Sequence, residues 1–394
     1  MPLYVKDFGA VGDGATDDTA ALQRAADAAT SGGEIIYENK AYKVSGPIIT
    51  TASGVTHRGE GVYGTKIIQI SPCSETFSFV GAHHSGVENL LIQQTTPATS
   101  GYAIKFNRSS AYSCFYGFVK NVRIQDTFNG IDIKCSTETR IHTVHMRGLK
   151  GVRGINISGE NKTNWGSFRA IIEDVVGDTA GNGNTAIVWF AQDSYAYSLV
   201  LDKCVALNGG IGFSMLDFVN SGDSFPIWCY PTDLECDHNQ LCGINLAAGE
   251  GFYMTQSWIG SVVAGSGINI GSGFRGEVNM GNSRIVGNAQ HGIVLNAGPV
   301  DTMIHDCVIG DNSASGAGAC HGVVMAPNAS RFSILDNKIG DVVASAGNNQ
   351  GFGVFIMAGA STDYNISNNN LKGNRSGALL NASTVPGIVA GNLV

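Results

Sequence analysis

The side chains with the most chemistry to offer in this sequence are carboxylates and aromatic rings, and they are gathered. Residues 170–274 hold eleven Asp/Glu and one basic residue, Lys203, whereas residues 120–169 hold nine Lys/Arg and four Asp/Glu. All four tryptophans, Trp165, Trp189, Trp228 and Trp258, lie between 165 and 258. A protonated carboxyl and an ionised one flanking a glycosidic bond can cleave it, and aromatic faces stack on the apolar faces of sugar rings. The densest stretch runs from Asp223 to His238 and carries Asp233, Glu235, Asp237, Trp228 and Tyr230. Asp233 and Asp237 are candidate catalytic carboxylates, and His238 is a candidate general acid or base beside them. Trp165, Trp228 and Tyr230 are candidate sugar platforms. Trp189 and Trp258 sit within apolar strand patterns and are expected to point inward.

These residues need elements to position them, and composition indicates which. The chain has 53 glycines and 31 asparagines in 394 residues, only 14% charged residues and 43% hydrophobic ones. Glycine costs a helix about 1 kcal/mol per residue, and asparagine favours turns. Many short strands are therefore expected. Gly130-Ile-Asp-Ile, Gly154-Ile-Asn-Ile, Gly212-Phe-Ser-Met, Gly243-Ile-Asn-Leu, Gly267-Ile-Asn-Ile, Gly292-Ile-Val-Leu, Gly322-Val-Val-Met and Gly353-Val-Phe-Ile form a repeat, mostly 24 or 25 residues apart. Ala186-Ile-Val-Trp fits the same pattern between the second and third. A second series starts on a polar residue: Asn89, Asn121, Asn282, Asp306, Asp336 and Asn368 each precede an aliphatic by three. Asn and Asp tolerate left-handed backbone, so this series marks corners whose side chains stack into ladders. Short strands at this period, with no helix between them, predict an all-β, right-handed single-stranded parallel β-helix.

The one helical pattern, Thr19 to Thr30 after Thr16-Asp17-Asp18, falls where the solenoid needs an N-terminal cap. We expect residues 1–32 to form a motif and capping helix, and 33–394 the β-helix, as a single domain. Neighbouring coils of such a solenoid are about 4.8 Å apart. Counted from the start of each repeat, Glu160, Asp193, Asp217 and Glu250 fall five to seven residues on, at one corner of four successive coils. Asp193 and Asp217 are the expected catalytic pair, Glu250 a further catalytic candidate, and Glu160 a substrate-binding one.

Several classes are excluded. Hydrophobicity is too high and net charge too low for disorder, and no apolar run is long enough to span a membrane. A formal charge of -8 disfavours nucleic acid. The nine cysteines show no metal spacing and are expected to be reduced and buried. No metal-ligand set, phosphate loop or dinucleotide fingerprint occurs, so neither metal nor cofactor is expected.

Val5-Lys-Asp-Phe-Gly-Ala-Val-Gly-Asp-Gly14, then Thr16-Asp-Asp-Thr-Ala-Ala-Leu22 and Gly32-Gly-Glu-Ile-Ile-Tyr37, resembles the opening of the pectate-lyase-like superfamily. That group includes bacteriophage tailspikes, polygalacturonase-related hydrolases and mannuronan epimerases. The resemblance implies that Asp7, Asp13, Asp17 and Asp18 serve turns and capping. Signatures of the individual branches are mostly missing: His291-Gly292, His321-Gly322 and Asp237-His238-Asn239 are weak echoes. Tailspikes remain the best likeness, which implies a homotrimer that binds and hydrolyses a bacterial surface polysaccharide. It also implies residence in a virion tail. Residues 1–30 show no apolar signal-peptide core, so synthesis in the cytoplasm without a signal peptide is expected. The motif begins at residue 4, so no attachment domain is expected before it. Two alternatives stay open. One is a lyase or epimerase on an acidic polysaccharide, using Lys134, Arg140, His142, His145 and Arg147; the other is an adhesin that binds glycan without cleaving it.

Overall fold

A computed structural model describes residues 2–160, 166–179, 184–216, 226–296, 299–316, 318–342, 349–360, 363–385 and 387–394. It divides into two units, Met1–Val200 and Leu201–Val394. Both are built from short strands that pair in parallel, in the manner of a right-handed-type parallel β-helix.

In the first unit the strands make two ladders. One runs Glu34–Tyr37, Thr56–Gly59, Gly86–Gln94, Phe118–Gln125, Arg140–Arg147 and Ile171–Asp178. The other, called here the second sheet, runs Ile48–Thr50, Phe77–Val80, Tyr102–Asn107, Asn129–Lys134, Arg153–Ser158 and Val188–Gln192. Its inward rows stack like on like: Ile104, Ile131, Ile155 and Phe190 are in register and fully buried. The long strands of the first ladder turn a corner at Asn89, Asn121, Thr143 and Asp174, whose φ values are 58°, 49°, 52° and 54°. Asn121 Nδ2 donates to Asn89 Oδ1 at 2.8 Å, and Thr143 Oγ1 to Asp174 Oδ2 at 2.9 Å. The expected polar ladder is therefore present, with Thr and Asp continuing it.

The helix spans Thr19–Ala28, two residues shorter than expected, and buries Leu22, Ala25 and Ala26. Gln23 holds it to the strand Ile48–Thr50, donating to Ile49 O and accepting from Ile49 N. Asp18 occupies the N-cap position without capping. Its carboxylate turns back to accept Val11 N (2.7 Å) and Gly12 N (3.0 Å), and Asp17 accepts Thr19 N instead.

The register corrects one alignment. Arg153 pairs with Val188 and Ile155 with Phe190, which sets Trp189, not Ala186, opposite Gly154. The repeat shifts by three there because the Gly177 backbone leaves room for the Trp189 ring: a Cβ on Gly177 would lie 2.4 Å from it.

In the second unit one ladder runs Ile211–Met215, Cys242–Thr255, Ile268–Phe274, Ile293–Leu295, Val323–Met325, Phe352–Ile356 and Gly377–Asn381. Another runs Glu235–Asp237, Trp258–Gly260, Arg284–Val286, Val308–Gly310 and Lys338–Gly340. Corners at Asn282, Asp306, Asp336 and Asn368 are left-handed as the sequence pattern predicts. Asparagines also ladder in the interior: Asn337 Nδ2 donates to Asn369 Oδ1, and Asn369 Nδ2 to Asn392 Oδ1, both at 3.0 Å. None of the nine cysteines is in a disulfide, and seven are buried.

Candidate functional site

The second sheet of the first unit carries the densest polar chemistry. Between the inward Ile131 and Ile133, Asp132 projects from the face away from the core. Register places Lys105 on the coil before it and Asn156 on the coil after. Asp132 is nevertheless only 6% exposed. Burial pushes its carboxyl up to about 6, against the opposing pull of Asn156, Lys105 and Lys134. Asn156 Nδ2 donates to Asp132 Oδ1 at 3.0 Å, while Asn156 Oδ1 is buried with no hydrogen-bond partner among the described residues. Tyr102 is raised above the usual tyrosine range, chiefly by burial, and feels Asp132, Arg153 and Asp193. It stays neutral, so its hydroxyl is a proton donor set among two acids and a guanidinium. Arg153 starts the strand that carries Asn156 and is 9% exposed.

Asp193 and Glu160, both named from sequence, border this cluster. Asp193 follows the strand Val188–Gln192 and is 8% exposed. Its N–H donates to Ile157 O at 2.8 Å, continuing the ladder opposite Ser158, and its carboxylate accepts Ser194 N at 2.7 Å. Glu160 bridges Arg108 Nε (2.7 Å) and Lys134 Nζ (3.1 Å). The Arg108 hydrogen bond, then Lys134, holds its carboxyl below the ordinary range. Its place is as an anchor for two cations, which in turn favour ionisation nearby.

Among the described residues, the register does not follow the corner alignment expected from sequence. Asp193 follows the register of Ser158, two residues short of Glu160. Glu250 pairs with Ile227 in a different ladder, because the strand Cys242–Thr255 runs without a break from one sheet into the next. Asp217 and Trp165 lie outside the described residues. Of the five basic residues named for the lyase reading, Lys134 stands by Asp132. Arg140, His142, His145 and Arg147 belong to the other ladder.

The second unit holds the remaining candidates. His238 Nδ1 contacts Asp237 Oδ2 at 2.8 Å, and Asp237 Oδ1 is buried without a partner among the described residues. Asp233 sits at a left-handed corner with φ 51°. Glu235, between them, has its carboxyl raised by burial and by Asp237 and Asp233. Trp228 is 48% exposed, and Tyr230 stacks on Tyr253 with ring centroids 5.3 Å apart. Trp189 is fully buried as expected. Trp258 is not: it is 39% exposed, in register with Glu235, with Arg284 5.4 Å from its ring. The neighbouring Ile259 takes the inward position on that three-residue strand, which leaves Trp258 facing out.

Asp132, Tyr102, Lys105 and Arg153 were missed from sequence. The signal was present in Gly130-Ile-Asp132-Ile and Gly154-Ile-Asn156-Ile, whose third positions must stack and face outward.

Other proteins share this arrangement of strands. The A-module of mannuronan C-5 epimerase AlgE4 from Azotobacter vinelandii matches 98% of this chain and 100% of its own, with TM-score 0.65 and 16% identity. Tailspike protein 3 of bacteriophage CBA120 matches 98% of this chain and 61% of its own, with TM-score 0.62 and 12% identity. Likeness at these identities is likeness of fold. Mannuronan C5-epimerase AlgE3 of Azotobacter vinelandii is 56% identical over 48 residues, 12% of this chain and 3% of that protein. The chain thus spans 3% to 5% of the length of the curated relatives it matches. The family described as rhamnogalacturonase A/epimerase, pectate lyase-like matches residues 3–220, which include the N-terminal motif, the helix and every strand of the Asp132 cluster. More than half of the sequence is covered, and the chain belongs to that family.

Proposed function

We propose that this protein is a carbohydrate-active enzyme that hydrolyses a bacterial surface polysaccharide at the Asp132 cluster. The observation that carries this reading is a buried carboxyl poised at about 6, with a neutral tyrosine that feels both it and a second carboxylate, Asp193. Asp132 in its protonated form is the group that gives a proton to the leaving glycosidic oxygen, and Asp193 is the ionised partner that activates water. Across two coils and two residues of strand, their Cα atoms are separated by roughly 12 Å. A separation of that order suits the wider carboxyl spacing of inverting hydrolases, about 6.5–9.5 Å, better than the closer pair of retaining ones. Tyr102 and Arg153 orient the sugar between them. The tailspike of like fold supports a place in a virion tail, and the resemblance of the N-terminal motif carries with it a host-surface glycan as target and a trimeric assembly. We also infer that the helix Thr19–Ala28 closes the first coil against solvent.

One observation favours a second reading, elimination or epimerisation on a uronate. Lys105, Lys134 and Arg153 surround Asp132 and could neutralise a sugar carboxylate, and the epimerase module of like fold supports it. In that reading Asp132 acts ionised, as the base. The two readings differ in sign. Hydrolysis falls as pH rises through about 6, whereas proton abstraction by Asp132 rises. Incubating the protein with capsular and lipopolysaccharide fractions, while following reducing ends and the absorbance of unsaturated uronate across pH 5–8, separates them. Reducing ends without unsaturation and a falling alkaline limb support hydrolysis. Absence of both products from every glycan, with no change in uronate configuration by proton NMR and in the presence of binding, would leave an adhesin and sink the enzymatic reading.

A further inference from the structure

We propose a second carbohydrate site in the first unit, on the outer face of the strands Phe118–Gln125 and Arg140–Arg147, that takes an acidic polysaccharide. These strands are not part of the second sheet and carry none of the Asp132 cluster. They pair in register, Phe118 with Arg140, Lys120 with His142, Arg123 with His145 and Gln125 with Arg147. Together they present Lys120, Arg123, Arg140 and Arg147, two histidines and no carboxylate. Two concavities open on this face, one on each side of the corner at Asn121 and Thr143. The first, about 340 Å³, is lined by Lys120, Arg140 and His142 with Phe118 and Ile171, and has Glu173 at its edge, 4.0 Å from His142. The second, about 300 Å³, is lined by Arg123 and His145 with Tyr63, and has Asp174 at its edge. Tyr63 is 71% exposed and is held there by Arg123, which donates Nη1 to its hydroxyl at 2.8 Å and lies 5.1 Å from its ring.

The cations are what make this a site rather than a solvated face. Elsewhere the chain pairs many of its few basic residues, as in Lys6 with Glu38, Arg58 with Glu34 and Arg331 with Asp301. Among the described residues, Lys120, Arg140 and Arg147 have no carboxylate within ion-pair distance. In a chain of net charge -8, cations left without an ion pair keep their charge available to a polyanion. The acids bordering the face select the kind of polyanion. Glu88 lies one coil before Lys120, and Glu173, Asp174 and Asp178 lie one coil after the Arg140 strand. A nucleic acid, with a charge about every 1.7 Å of helix axis, would set phosphates against them. An acidic glycan, with at most a charge or two per sugar, fits a narrow positive strip between them. Phe118, Ile171 and Tyr63 supply the apolar contact that sugar rings need.

The test uses the full chain carrying Asp132→Asn, which slows turnover so that retention reports binding, while the strand variants below separate this face from the Asp132 centre. Retardation in gels containing alginate, dextran sulfate, neutral dextran or a single-stranded oligonucleotide is measured at low and moderate salt. We expect retention by alginate or dextran sulfate, weakening with salt, and none by dextran; which acidic glycan binds tells carboxylate from sulfate recognition. Adding K120E/R140E should weaken retention at least tenfold with an unchanged thermal melt, and the milder K120A/R140A should weaken it by about threefold. Undiminished binding by both double variants would overturn the proposal. So would failure to bind either acidic glycan, or tighter binding of the oligonucleotide than of both.

Discussion

At the scale of single residues, the case rests on what burial does to Asp132. A carboxyl surrounded by low-dielectric protein resists ionisation, and only partly compensating groups keep it near neutrality. Asp132→Asn should preserve the fold, since Asn156 already stands in the same stacked position, and should lower turnover by about 10²–10⁴-fold. Measured kcat on the identified glycan decides this, and a value within a few-fold of wild type would move the centre elsewhere. Asn156 acts through Asp132: its N–H favours the ionised form. Asn156→Ala should therefore raise the Asp132 carboxyl further and carry the alkaline limb of the pH–rate profile to higher pH. A purely structural role for Asn156 would lower the rate and leave the limb where it is. Asp193→Asn should also cut kcat while sparing substrate binding.

At the scale of elements, the corners carry the stability that glycine-rich strands lack. Asn89, Asn121, Thr143 and Asp174 hold left-handed backbone that costs an L-residue roughly 1–2 kcal/mol, and the stacked side-chain bonds offset it. Asn121→Ala keeps the strain and loses the bond, so urea denaturation should show a loss of about 1–3 kcal/mol. Asn121→Gly removes the strain and should recover part of it; equal losses for the two would mean that the side-chain bond alone matters. The Asn89 and Asn121 corners were legible in the sequence, because the residue type that tolerates the backbone is the one that builds the ladder; Thr143 and Asp174 were not named there. The Ala186 alignment was not legible. A shift of three residues beside Trp189 depends on Gly177, which comes from another strand and leaves no mark in the repeat itself.

At the scale of the whole molecule, pH sets opposing trends. His57 is fully buried between Tyr37 and Thr50 and is lowered to about 3 by burial. His291 is lowered to about 4, first by burial and then by His321. Such histidines fold neutral, so their contribution is complete above the unfolded value near 6.5 and is lost as pH falls below it. Asp132 runs the other way: its raised carboxyl favours the fold at low pH, and that is lost as pH rises through about 6. Two histidines outweigh one aspartate, with His57 alone accounting for about 2 kcal/mol between pH 7.5 and 5. Urea midpoints should accordingly fall from pH 7.5 to 5, and His57→Gln should flatten the dependence. A midpoint that rises on acidification would show the carboxylates in control.

Composition and periodicity were enough to determine the coil architecture, the helix after Asp18 and the corner ladders, and the N-terminal motif pointed to the family by resemblance. Each is a local or repeating property, written in residue types at fixed spacing. The sequence also drew attention to the acidic middle and its aromatics, of which Trp228 and Tyr230 are exposed and Trp258 faces out against expectation. Which polar groups meet was decided only by the tertiary structure. Register slips of two or three residues separate Asp193 from Glu160, and one continuous strand carries Glu250 into another ladder. The poise of Asp132 comes from burial by side chains of several coils, and burial is a property of the packed molecule that no spacing along the chain encodes.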